Sequence, residues 1–125
     1  MTNPSIEVSV EPKYIIKESV PEKNRYVFSY TVTITNNGEL AVQLLSRHWI
    51  ITNGETLKSQ EVRGDGVVGK QPRIQPGKSY TYTSGTVMES PVGTMQGTYR
   101  MIDEAGEYFD ALIPVFTLAS TNSVH

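Results

Sequence analysis

Apolar and polar residues alternate with a period of two through most of this chain. Across segment 25–35, Tyr26, Phe28, Tyr30, Val32 and Ile34 fall on one side, and Ser29, Thr31, Thr33 and Thr35 on the other. A strand half buried in a core has this period, and β-branched residues fill even its polar side. Ile6, Val8 and Val10 alternate in the same way with Glu7 and Ser9. Pro12 is expected to end or bend that strand, with Tyr14 to Ile16 carrying the edge onward. Tyr80 and Tyr82 alternate with Thr81 and Thr83, and Met95, Gly97, Tyr99 and Met101 with Thr94, Gln96, Thr98 and Arg100. Segment 42–52 is apolar on both sides. Strict alternation groups Trp49 and Ile51 with Leu45 and Arg47, and Ile50 with Val42, Leu44 and His48. Such a strand belongs in the middle of a sheet or beneath another element.

Turn signals separate these strands. Segments 19–24 and 36–39 carry Pro, Asn and Gly, and Asn53-Gly54 is the strongest two-residue hairpin signal in the chain. Leu57 to Arg63 should return from it as a polar edge strand. Segments 88–93 and 103–107 are connections, and the last strand, 108–118, contains Pro114, which implies an edge position or a bulge. Residues 119–125 read as a loose tail. Strands of this length with no helix predict an all-β fold, an antiparallel β-sandwich, with a closed barrel as the alternative. Without an internal repeat or a domain boundary, residues 1–125 read as a single domain.

Composition narrows the function. With 38% hydrophobic and 19% charged residues, the chain suits a globular protein. Its net charge is −2 and its basic residues are scattered singly, which disfavours nucleic acid as a partner. There is no cysteine. Disulfides, thiolate nucleophiles and zinc–thiolate sites are therefore excluded. The N-terminal segment lacks the basic start and apolar run of a signal peptide, and no apolar stretch approaches the roughly 20 residues that span a bilayer. These features predict a cytoplasmic protein with no membrane association.

The stretch from Gly64 to Gly85, GDGVVGKQPRIQPGKSYTYTSG, carries the most suggestive chemistry. Gly64, Gly66 and Gly69 satisfy G-x-G-x-x-G, and 64–71 matches a P-loop except that Gln71 replaces Ser or Thr. Both motifs present backbone N–H groups to phosphates at the start of a helix. Pro72 and Pro76 forbid that helix here. The favoured reading is a tight loop crossing between sheets. Its rival is a helix-free nest of N–H groups, aided by Lys70, that holds a phosphate or carboxylate.

Other candidates are weaker. His48 stands beside Arg47 and Trp49, yet on a strand it faces away from both. Spacing suggests no nucleophile for it, so a structural role is expected and no catalytic residue is assigned. Asp103, Glu104, Glu107 and Asp110 surround one turn and are of the type that holds a hard cation, but the segment lacks the EF-hand spacing, a solvated turn is the favoured reading, and no metal site is assigned. The seven tyrosines each need a hydroxyl partner, so some should reach the surface. Together with the loop at Pro72–Pro76 they suggest a protein-binding face, and the equal alternative places them at sheet margins with solvated hydroxyls.

The same glycine-rich stretch, with the segments PVGTMQGTY (91–99), IPVF (113–116), SRHWII (46–51) and YTVTITN (30–36), resembles the bacterial ApaG family. The resemblance runs over nearly the whole chain. It implies an immunoglobulin/fibronectin type III-like sandwich, with no established enzymatic activity, no cofactor and no agreed catalytic residues. It further implies a link to cobalt resistance and magnesium efflux, and a protein-binding role inferred for similar domains in F-box proteins and a polymerase-interacting protein. The resulting expectation is a non-enzymatic module that binds a protein partner. The alternative is a module that binds a pyrophosphate-containing nucleotide or other anion. Either would use Gly64, Gly66, Val67, Val68, Gly69 and Lys70.

Overall fold

The computed structural model describes residues 5–120. Its regular elements are strands, apart from single 3-10 turns at Ile16–Glu18 and Pro21–Lys23. The strands are β1 (Ile6–Tyr14), β2 (Tyr26–Asn36), β3 (Val42–Asn53), β4 (Ser59–Asp65), β5 (Arg73–Ile74), β6 (Ser79–Met88), β7 (Val92–Asp103) and β8 (Tyr108–Ala119). They form two antiparallel sheets. One has the order β1-β2-β6; the other has the order β4-β3-β7-β8, with β5 also paired to β3. The sandwich reading holds, and the fold is fibronectin type III-like. Ala119 belongs to β8 and so is not part of a tail as expected, and the rest of that expectation, at residues 121–125, lies outside the described ones.

Alternation places the core largely as read. Phe28, Tyr30, Val32 and Ile34 of β2 face Trp49, Ile51, Met95, Tyr99 and Met101 across the sandwich, all buried. Trp49 sits at the centre, meeting Tyr30 edge-on with ring centroids 5.3 Å apart, Phe116 at 5.9 Å and Tyr99 at 6.3 Å. Such tilted and edge-on pairs satisfy the ring quadrupoles. On the opposite face of the smaller sheet, Thr31, Thr33 and Thr35 bond across to Thr83, Thr81 and Ser79.

Two bulges correct the strict alternation. β3 shifts register between Leu44 and Ser46, so Val42 and Leu44 share the core side with Trp49 and Ile51. An extra residue on one strand reverses the facing of everything beyond it. The β7–β8 pair shifts between Met95 and Gly97, opposite Pro114 and Val115. Burial in β8 accordingly changes from Phe109, Ala111 and Ile113 to Leu118. Pro114 is both on an edge strand and at a bulge.

Two other expectations change. Pro12 does not end β1: the strand continues to Tyr14, with Pro12 opposite Tyr30, because β1 is an edge strand and needs no donor on its outer side. Asn53-Gly54 does not form a two-residue hairpin. The chain runs on to Lys58, whose carbonyl accepts from Asn53 N–H, while the Asn53 side chain accepts from the Glu55 and Thr56 amides. The left-handed residue of this loop is Leu57, at φ 61°.

Candidate interaction site at the glycine loop

The bulge in β3 determines what the glycine loop does. β4 ends opposite Ser46, and β5 resumes on the same side of β3 opposite Val42 and Gln43. Between them the chain makes an excursion over the bulged residue, Leu45. The Leu45 carbonyl accepts from Gly66 N–H at 2.8 Å and from Gln71 Nε2 at 2.9 Å. Gln71, the departure from the P-loop pattern, thus serves the fold. Arg47 completes the dock: its Nη1 donates to the carbonyls of Asp65 (3.0 Å) and Gly66 (2.8 Å). Gly64 makes room for it, since a Cβ there would stand 2.7 Å from the guanidinium.

The tip of the excursion is a two-residue turn. Val67 and Lys70 exchange both backbone bonds, at 2.8 and 3.0 Å, around Val68 (φ 48°) and Gly69 (φ 77°). Positive φ at both central residues is the type I′ geometry of tight hairpins, where Asn-Gly is the favoured pair. Gly66 is also left-handed, at φ 63°, and a Cβ there would lie 2.3 Å from the Lys70 carbonyl.

Five of the six predicted residues lie in the loop and Gly64 lies in β4, and their roles diverge. Val67 points into the core and is 1% exposed, whereas Val68 at the tip is 63% exposed. Gly64 belongs to β4 and cradles Arg47. The amide protons of Gly66, Val67 and Lys70, which a phosphate nest would use, are bonded within the protein.

The tip stands over a cleft of about 340 Å³ between the two sheets, walled by Tyr30, Trp49, Tyr82 and Ser84 with Arg47 at its rim. Its phenols lie deep. Tyr82 and Tyr99 hydroxyls bond to each other. Burial pushes Tyr82 up to about 12, opposed by that bond, and pushes Tyr99 well above the ordinary phenol range. Burial also raises Tyr30, against a hydrogen bond with Ser84 and the Arg47 charge. Of the tyrosines only Tyr108 is largely exposed, under the Arg100 guanidinium, so the expected tyrosine-rich face does not form. A second cleft, about 520 Å³, continues along the same side between the β3–β4 turn and the end of β6, and Val87 lines it at 48% exposed.

The remaining candidates lie elsewhere. His48 sits in a shallow groove on the outer face of the larger sheet, where Nε2 meets Glu61 Oε1 at 2.7 Å. The bond and charge of His48 hold the Glu61 carboxyl below its usual range. The acidic turn is used by the backbone: Asp103 accepts from the Ala105 and Glu107 amides, and Glu104 from Ala41 N–H. Among the described residues no group of three or more His, Cys, Asp or Glu could hold a metal, and no helix is long and apolar enough to cross a membrane.

Sequence reasoning set Arg47 and Gln71 aside, because their role depends on a bulge that composition does not announce. It also missed the character of β6, although the signal was visible: SYTYTSGTVM contains no charge and no proline.

A fibronectin type III-like sandwich with a glycine loop docked on a β3 bulge defines the class. The sequence model of the ApaG domain matches residues 16–103, and the chain belongs to the ApaG family. It is 59% identical over 120 residues to Protein ApaG of Ectopseudomonas mendocina, covering 96% of this chain and 94% of the relative. It is 54% identical over 124 residues to Protein ApaG of Pseudomonas aeruginosa, covering 99% and 98%. A crystal structure of an ApaA protein from Bordetella pertussis superposes with a TM-score of 0.90 at 49% identity, covering 94% of this chain and 95% of that one.

Proposed function

We propose that this protein is a non-enzymatic module of the cytoplasm that docks a protein partner on the side of the sandwich between β4 and β6. One observation carries the reading. Val68 is a β-branched residue held at φ 48° and left 63% exposed. A β-branched side chain is disfavoured in the left-handed region, and the turn would be better served by Asn or Gly. Val68 gives the core nothing in return, so its side chain is suited to contact outside the fold. Leu57 repeats the pattern at the other end of β4, with φ 61° and 76% exposure. Val68 stands beside the cleft walled by Tyr30, Trp49 and Tyr82, and an exposed apolar anchor next to aromatic side chains matches the organisation of interaction hot spots.

The test is capture from lysate by the wild type, Val68→Asp, and Leu112→Asp on the outer face of the larger sheet. With melts confirming that all three fold, the partner should be retained by wild type and Leu112→Asp and lost by Val68→Asp. Equal retention by all three would remove Val68 from the interface.

A further inference from the structure

We infer that β6 is a receptor edge that accepts an extended segment of the partner as an added antiparallel or parallel strand. The inference rests on the reading of the β4–β6 side as the binding face, and it names the form the partner takes there. Register shows which backbone groups are open. Asn36 N–H donates to the Lys78 carbonyl, so even-numbered residues of β6 face β2. Alternation then turns the N–H and C=O groups of Ser79, Thr81, Thr83, Gly85 and Val87 outward. No other strand pairs with β6, and none of these groups has a backbone partner on that side among the described residues.

Open edges are ordinarily protected by charge, proline or bulges, because a row of unpaired groups templates another strand. The other edges here follow that rule. β1 carries Glu7, Glu11, Pro12 and Lys13; β4 carries Glu61, Arg63 and Asp65; β8 carries Asp110 and Pro114 with a bulge. β6 has none of these devices and keeps perfect register with β2 over Ser79 to Met88. Its uncharged edge fits an uncharged, β-prone segment, as in other recognition by strand addition. The flanking clefts, about 340 and 520 Å³, give alternate side chains of that segment somewhere to go. The Val68 tip and Tyr82 to Ser84 line the same cleft, which is the side on which a strand added to β6 would lie. The occupant is an uncharged peptide segment of a partner, and a second copy of this chain is the alternative that sedimentation distinguishes below.

The probe is a synthetic peptide copying residues 79–88 with lysines at both ends, added in excess and read by amide exchange of the whole protein. Exchange at Thr81, Thr83 and Gly85 should slow by about tenfold or more, and the same peptide N-methylated at alternate residues should give no protection. Unchanged exchange with the unmodified peptide, or equal protection by both peptides, would overturn strand addition. Val68→Asp separates the two readings, because main-chain pairing survives it whereas side-chain docking of the partner does not. Sedimentation of the protein alone completes the test: dimer formation blocked by Thr81→Lys would replace the peptide with a second copy.

Discussion

Arg47 and Gly64 face each other across the β3–β4 ladder, and the guanidinium lies where a side chain at position 64 would begin. This contact lets Arg47 reach two loop carbonyls and fixes the excursion that carries Val68. The first glycine of the G-x-G-x-x-G pattern is thus explained by an arginine of this chain, with no nucleotide needed.

Gly64→Ala should displace the guanidinium and weaken its two bonds, costing about 1–3 kcal/mol in chemical denaturation. Arg47→Lys should cost a similar amount, since an ammonium cannot reproduce the fork. Gly97→Ala should cost more than either, because a Cβ there would stand 2.0 Å from the His48 carbonyl, a rigid backbone atom. An unaltered denaturation midpoint for Gly64→Ala would dismiss the docking role.

Asn36 closes the far end of the core. Fully buried, it donates from Nδ2 to the Leu40 and Ile74 carbonyls and accepts from Gly38 N–H. Asn36→Asp would set a carboxylate against two carbonyls, and a loss of about 3–5 kcal/mol is expected near neutral pH, enough to unfold much of the population. Circular dichroism melts would show it, and a melt within a degree or so of wild type would contradict it.

Alkaline pH should unfold the protein through its buried phenols. Tyr82 has a folded-state value raised to about 12, so its contribution is complete below the unfolded value near 10 and is lost as pH rises from there through 12. Tyr99 acts in the same direction. Phenolate absorbance from these two should therefore appear together with loss of the near-ultraviolet circular dichroism signal. Ionisation of both with tertiary structure intact would show that the pair is not buried as described.

The regular strands were legible because their alternation is set by a single core side. β2 and β7 show this directly. β3 was legible as a central strand but not in its facing, since the bulge at Leu45 leaves no compositional mark and only the burial of both Leu44 and Trp49 exposes it. Pro114 marked the second irregularity. The tight turn was misplaced for a related reason: Asn53-Gly54 has the favoured residues but is drawn into a longer loop, where Gly54 N–H donates to the Val92 carbonyl. The type I′ geometry instead falls on Val68-Gly69, where Val gives no warning of positive φ. Within the candidate loop, the sequence could not separate Val67, which enters the core, from Val68, which leaves it.

The most direct measurement is Val68→Asn, read for both stability and partner capture. Asn suits the left-handed turn position, so the variant should be more stable than wild type by roughly 0.5–1.5 kcal/mol. It should also lose the partner, because the apolar anchor is gone. A more stable protein that no longer retains its partner is the result predicted here. A variant that captures the partner as well as wild type would contradict the assignment of Val68 to the binding face.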